Sequence, residues 1–157
     1  MTPAIELLKK RNCPFQVLSY QHDSQSSSYG LEAAEKLQLN PKLVFKTLVL
    51  QLEPTELVVA VLPVSHMLDL KQLAKAAGSK KAAMAAPAAV ERSTGYVLGG
   101  VSPLGQKKRL RTFIDQSAEN LPLIYVSAGR RGLEIEIAPE QLQLLLDASF
   151  VGLAQAL

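Results

Sequence analysis

The sequence predicts an α+β or mixed α/β domain built on one curved, barrel-like mixed sheet flanked by helices. Short apolar runs of strand type are interleaved with capped amphipathic stretches, and several of the links between them are of hairpin length. A third observation is size: 157 residues, 48% hydrophobic and 20% charged, suit one core, and a single domain over 1–157 is expected.

The first element is a helix with Thr2 as N-cap, Pro3 at its first position and Ile5, Leu7 and Leu8 as its apolar stripe. It ends at Asn12-Cys13-Pro14. Residues 15–20 read as a strand, and the polar stretch 21–28 contains Ser26-Ser27-Ser28, the mark of a mobile loop. A helix is expected over about 31–38, followed by a turn at Asn40-Pro41. Runs 46–52 and 57–62 flank Glu53-Pro54-Thr55-Glu56 and predict an antiparallel hairpin, the second run being apolar on both faces like a central strand. Asp69 caps a helix that carries Leu70, Leu73, Ala74 and Ala77 and closes at Gly78. The alanine-rich stretch 82–89 reads either as a short strand or as the entry to another helix. Residues 93–105 form a glycine-rich loop without a packing period, a length that is usually functional. Strands follow over 111–114, 123–127 and 133–137, the last alternating Leu133, Ile135 and Ile137 against Glu134 and Glu136. Pro139 opens a final helix to about residue 146.

Composition excludes several classes of function. The longest strongly apolar run, 57–64, is far below the roughly 20 residues of a membrane-spanning helix, and no secretory signal opens the chain. With Cys13 as the one cysteine no internal disulfide forms, so a soluble cytoplasmic protein is expected. His22 and His66 are isolated and no metal site is expected. Neither a Gly-x-Ser-x-Gly elbow nor a nucleotide phosphate loop is present. Cys13 reads as a small apolar filler in preference to a nucleophile, and His66 as a satisfied helix-entry or core histidine in preference to a general base.

Net charge is +3, but its distribution is uneven: residues 1–70 carry −1, 71–131 carry +8 and 132–157 carry −4. Such a central segment suits a polyanion-facing surface if folding gathers it, and otherwise is a set of solvated lysines. Lys46 falls on the same strand face as Leu48, Leu50 and Leu52. It either snorkels from the strand end or holds its ammonium against substrate oxygens in a pocket. Gly99-Gly100-Val101-Ser102-Pro103 is either an ordinary turn or a loop whose N–H groups hold an oxyanion or phosphate. Ser127-Ala128-Gly129-Arg130-Arg131-Gly132 is either a hairpin turn or a cluster of donors and cations at a sheet edge.

Several blocks together make the chain recognisable. Thr2-Pro3-Ala4, Glu32-Ala33-Ala34-Glu35-Lys36-Leu37, Phe45-Lys46-Thr47-Leu48, Ser93-Thr94-Gly95-Tyr96, the run from Gly99 to Lys108 and that from Arg131 to Pro139 resemble the YbaK family. These are free-standing aminoacyl-tRNA deacylases related to the editing domain of bacterial prolyl-tRNA synthetases. The resemblance implies an editing-domain-like fold without metal or organic cofactor, acting on the acceptor end of mischarged Cys-tRNA(Pro), and also on Cys-tRNA(Cys), in a ternary complex with prolyl-tRNA synthetase. By the same resemblance Lys46, Gly99 and Gly100 are catalytic, and Val101, Ser102 and Pro103 complete the loop against the terminal adenosine and scissile ester. Tyr20 and Ser127 match pocket positions, Thr47 and Gly129 border them, and Tyr29 stands at the rim. Lys107, Lys108, Arg109, Arg130 and Arg131 are the expected tRNA contacts. The implied reaction is attack of the substrate's own cysteine thiol on its ester, releasing tRNA and a thiolactone. Editing of another residue such as alanine on tRNA(Pro) by water attack, or a non-catalytic tRNA- or synthetase-binding module, are the alternatives.

Overall fold

The computed structural model describes residues 1–26 and 28–156; Ser27, within the expected Ser26-Ser27-Ser28 loop, lies outside them. The α+β class is what the chain adopts, with its strands in two hydrogen-bonded sheets rather than one closed barrel. Helix α1 (Pro3–Lys10) starts as its sequence predicts, the Thr2 hydroxyl accepting from the Ile5 N–H at 3.3 Å and donating to the Ala128 carbonyl at 2.5 Å. One threonine thus caps the helix and ties it to a loop more than a hundred residues away.

Strand β1 (Gln16–Ser19) leads to α2 (Tyr29–Lys36), which begins two residues earlier than its pattern predicts because Gly30 is helical. Glycine costs about 1 kcal/mol in a helix interior. Here it is needed, since a Cβ at Gly30 would lie 2.3 Å from Val64 Cγ1. Strands β2 (Phe45–Leu52) and β3 (Leu57–Pro63) form the expected hairpin, with Lys46 paired to Leu62. Helix α3 (Leu70–Ala77) is capped by Asp69 and closed by Gly78. The alanine-rich stretch contains both alternatives in succession, β4 (Ala82–Met84) and then α4 (Pro87–Thr94). After β5 (Arg111–Asp115) come a 3₁₀ turn (Gln116–Asn120), β6 (Ile124–Ser127), β7 (Leu133–Ile137), α5 (Pro139–Leu146) and β8 (Ser149–Val151). The 3₁₀ turn and β8 are too short to carry a period in the sequence.

The smaller sheet has the order β1-β7-β6 and the larger β4-β2-β3-β5-β8, with β3–β5 and β5–β8 parallel. A single bridge, Val44 to Tyr125, links them at the entry to β2. Val58 to Leu62 on β3 are all fully buried, which is the price of a central position with apolar faces on both sides. One face packs Val59, Val61 and Ile114 with the smaller sheet, α1 and α5; the other packs Val58, Ala60, Leu62 and Phe113 with Leu73 of α3. Just beyond the Val44–Tyr125 bridge, the first residues of β2 and the last of β6 open onto a pocket.

Asp115 ends β5 at the same end of the larger sheet as the start of β2, two strands away. Its carboxylate accepts from the N–H groups of Leu153 (2.8 Å), Ala154 (3.1 Å) and Ser117 (3.2 Å) while being only 5% exposed. Asp115→Ala leaves those donors without their acceptor and is expected to cost about 2–4 kcal/mol, a fall in melting temperature of roughly 5–12 °C. Thermal unfolding of Asp115→Ala and Asp115→Asn measures this, and a shift under one degree would show that the carboxylate does not hold the C-terminal segment.

Candidate active site

The pocket has a volume of about 220 Å³. It is lined by the first residues of β2, Phe45 to Leu48, by Ser127 at the end of the neighbouring β6, by Glu134 on β7 and by Tyr20 beyond β1. Tyr29 and Gly30 of α2 close one side, and Leu98, Gly99 and Val101 of the loop after α4 close another, with Arg130 and Arg131 between. Of the residues expected at the site, Lys46, Thr47, Tyr20, Tyr29, Gly99, Val101 and Ser127 therefore share one cavity. The backbone explains the convergence: the Tyr20 N–H donates to the Gly132 carbonyl at 2.9 Å, bringing the end of β1 against the β6–β7 turn.

Gly100 packs under the pocket, where its Cβ would lie 3.3 Å from Arg130 Cα. Ser102 is fully buried, its hydroxyl accepting from the Leu104 N–H at 3.2 Å and its carbonyl from Gln106 Nε2 at 2.9 Å. Gly129 sits behind the wall against the Tyr96 ring, and its N–H donates to Ser127 Oγ at 3.1 Å. Pro103, Lys108 and Arg109 line a separate groove, and Lys107 covers Gly95. The loop expected to be one ligand-facing segment is thus half rim and half internal brace, because Tyr96 drives its hydroxyl onto the Leu104 carbonyl at 2.6 Å and folds the segment around itself.

The rim has its own bracing. Arg131 lies with its guanidinium carbon 3.9 Å from the Tyr29 ring centre and donates to the Tyr29 hydroxyl at 2.7 Å and the Leu98 carbonyl at 3.2 Å. Gly99, at φ +88°, is what lets this pair close: a Cβ there would meet Arg131 Nε at 2.5 Å and Tyr29 Cε2 at 2.7 Å. Behind Tyr29, His22 meets Glu32 at 2.7 Å, and the Asp23 N–H donates to the same carboxylate at 2.7 Å. Burial pushes the Glu32 carboxyl up, but hydrogen bonds from Asp23, His22 and Lys36 outweigh it and hold it at about 2.

Lys46 lies on the face shared with Leu48, Leu50 and Leu52 as its register requires, and its ammonium donates to the His66 carbonyl at 2.7 Å. Burial pulls its pKa below the usual lysine range. Glu134, which lines the same pocket, is 7% exposed, and burial pushes its carboxyl up to about 8. The described ion pairs involve His22, Lys36, Arg111 and their glutamate partners, so neither Lys46 nor Glu134 has a charged partner among the described residues. Thr47 Oγ1 is buried and without a hydrogen-bond partner there. Burial raises the Tyr20 phenol, and the nearby Glu134 charge raises it further.

Glu134 is the residue that sequence reasoning missed. Alternation along 133–137 places it opposite Leu133 and Ile135, which in a solvated strand means water. In this strand the second face looks into the pocket, and no local pattern distinguishes the two. Among the described residues no group of three or more His, Cys, Asp or Glu is placed to hold a metal ion, and no helix is long and apolar enough to cross a membrane.

A pocket with an uncompensated cation and carboxyl, rimmed by a glycine-bearing loop, has counterparts among known proteins. EbsC of Enterococcus faecalis, named as a candidate Cys-tRNA(Pro)/Cys-tRNA(Cys) deacylase, is 38% identical over 149 residues, covering 95% of this chain and 90% of that one. A solved structure described as a candidate trans-editing enzyme for prolyl tRNA synthetase superposes with a TM-score of 0.83 at 22% identity, covering 98% of this chain and 93% of that one. A second, a hypothetical protein, gives 0.87 at 22% identity, covering 98% and 99%. The model of the aminoacyl-tRNA editing domain matches residues 26–145, a span that holds Lys46, the glycine loop and Glu134, and the chain belongs to that family.

Proposed function

We propose that the protein is a trans-editing deacylase that clears cysteine mischarged onto tRNA(Pro), with Cys-tRNA(Cys) as a further substrate. The observation that carries this is the convergence of Lys46, Gly99 and Glu134 on one small pocket whose described lining includes no histidine or cysteine. A hydroxyl needs a base to act as nucleophile; the cross-strand neighbour of Ser127 is Glu134, whose carboxyl burial keeps mostly protonated at neutral pH, and the Ser127 hydroxyl already accepts from the Gly129 N–H. The identity to EbsC supports a cysteinyl substrate, which brings its own nucleophile.

A thiol of pKa about 8.5 is a few per cent thiolate at neutral pH, whereas a seryl hydroxyl is almost wholly protonated. The substrate sulfur attacks its own ester carbonyl carbon, the carbon–sulfur bond forms, and the bond to the terminal ribose oxygen breaks. That oxygen leaves with the proton the thiol gave up, so tRNA and a thiolactone are released, and the thiolactone opens later in water. Reaction of the substrate with itself discriminates better than size, since one small apolar group is worth only about 1–3 kcal/mol in a pocket.

The chain supplies orientation and charge. An ammonium has three N–H donors. The Lys46 ammonium uses one on the His66 carbonyl, and the others are available to the developing oxyanion together with backbone N–H groups of the rim loop. Glu134 receives the α-ammonium of the aminoacyl group, an ion pair that offsets the burial of both charges.

Cys-, Ala-, Ser- and Pro-charged tRNA(Pro), incubated with the protein and resolved by product mass, test the reaction. Only the cysteinyl ester is expected to be cleared, through a thiolactone. Comparable clearance of the alanyl ester would replace thiol attack by water attack, for which the unpartnered Thr47 hydroxyl is a natural anchor. Selection of tRNA(Pro) falls to prolyl-tRNA synthetase in a ternary complex in the cytoplasm, because so small a protein has little surface for an anticodon. Failure to co-purify with the synthetase, with or without tRNA, would remove that partner.

A further inference from the structure

The basic central segment does not assemble into one surface. Lys71 and Lys75 stand on α3, which covers one face of the larger sheet. Arg111 is held by Glu56 through two bonds of 2.8 and 2.9 Å and also donates to the Ala77 carbonyl. Arg131 is engaged by Tyr29 and Leu98 at the pocket rim. Lys108 and Arg109 have no such partners among the described residues, and the fold brings them to a groove of about 200 Å³ whose third cation, Arg11, comes from the end of α1. Sequence distance hides that grouping, since about a hundred residues separate Arg11 from the other two.

All three cations are exposed, and none takes part in a described ion pair. No Asp or Glu occurs among the described residues lining the groove. Three cations without a counter-charge raise the local potential, and an external polyanion is what relieves it. The apolar floor, Leu7, Leu110 and Leu145, lies over the core on the side of the larger sheet opposite α3, so the lysines of α3 belong to a different surface.

The groove and the pocket are joined by one stiff piece of chain. Gly99 stands at the pocket rim and Pro103 and Gly105 at the groove. Gly105 is pressed onto α1, where a Cβ would lie 2.6 Å from the Pro3 carbonyl carbon, and the Tyr96–Leu104 hydrogen bond locks the middle. A ligand with a small end in the pocket and a string of negative charges beyond it meets both features at a set separation.

We propose that Arg11, Lys108 and Arg109 form a contact surface for the sugar–phosphate backbone of the RNA whose 3′ end enters the pocket. This rests on the proposed reading of the pocket as a site for an aminoacyl ester of RNA. Such contacts position the ligand without reading its sequence, and their signature is salt dependence.

The test is equilibrium binding of uncharged tRNA(Pro) over a salt series, which does not depend on hydrolysis. Substituting Arg11→Gln, Lys108→Gln and Arg109→Gln together is expected to lower affinity on the order of 100-fold at about 0.1 M salt and to reduce the log–log salt slope by about three. Arg11→Gln alone is expected to reduce that slope by about one, and this single surface change keeps the test open should the triple variant fold poorly. Lys71→Gln and Lys75→Gln together remove two charges from the α3 surface and are expected to leave both quantities unchanged. A loss in the α3 variant as large as in the groove triple variant, or an unchanged slope in the groove variants, would overturn the proposal. Binding through the groove without any ester cleavage would instead overturn the deacylase reading and leave the groove standing.

Discussion

Lys46→Met is expected to lower the single-turnover rate of Cys-tRNA(Pro) clearance by about 100- to 1000-fold while leaving the protein at least as stable. The loss follows from the role proposed for Lys46, a preorganised charge at a developing oxyanion, which is typically worth about 3–4 kcal/mol of barrier. The stability follows from the opposite side of the same physics. Burial pulls the Lys46 pKa down, so the folded state disfavours its charged form. A thioether of similar length removes that cost and fills the space. Single-turnover hydrolysis and a thermal melt measured on the same preparation separate the two effects. An unchanged rate would remove Lys46 from the reaction, and a large fall in melting temperature would make it a structural lysine instead.

Glu134→Gln is the second large effect, and its sign depends on pH. The Glu134 carboxyl is pushed from the usual 4.5 up to about 8 by burial alone. Between those values the folded protein keeps a proton that the unfolded chain has released. The associated stability is therefore fully present below about pH 4.5 and is lost as pH rises through 8. At about 1.4 kcal/mol per unit the loss is on the order of 3–5 kcal/mol. Glutamine carries no titrating proton, so the variant is expected to melt at nearly the same temperature as the unmodified protein at pH 5 and several degrees above it at pH 8.5. Activity is expected to move the other way. Without a carboxylate for the α-ammonium, kcat/KM falls about 10- to 100-fold, mostly through KM. On the proposed pairing, the substrate ammonium would expel the Glu134 proton, so KM is expected to improve as pH rises until the ammonium itself deprotonates, at about 7.7–8. Parallel melting profiles across pH, or an unchanged KM, would show that Glu134 is neither strained by burial nor engaged by substrate.

Lys46 and Glu134 differ in how far the sequence reveals them. A lysine among Leu48, Leu50 and Leu52 violates its strand's pattern, and a local violation is visible without a structure. Glu134 obeys its pattern, alternating with Leu133 and Ile135, and only the closing of the pocket over that face turns an ordinary exposed position into a buried carboxyl. Gly30 shows the same limit on a smaller scale: propensity starts α2 after it, whereas the close approach of Val64 requires it inside the helix.

Arg131 and Arg11 show where charge counting stops. Both are exposed arginines with nothing in their local sequence to separate them. One is consumed by stacking on Tyr29 and bonding to Leu98, and the other stands beside Lys108 and Arg109 with no acid in the groove. The +8 of the central segment is a property of composition, and its division into a lysine-bearing helix, a rim brace and a groove is a property of packing.

By itself the sequence determined what local interactions decide: the hairpin of β2 and β3, the caps at Thr2 and Asp69, the face on which Lys46 lies, and the glycine loop. These depend on a few neighbouring residues and on the backbone periods of 2 and 3.6. The division of the strands into two sheets, the burial of Ser102, the exposure of Glu134 to a cavity and the meeting of Arg11 with Arg109 were decided only in the tertiary structure. Each is a contact between segments far apart in the chain, fixed by the packing of whole faces, and no window of neighbouring residues contains it.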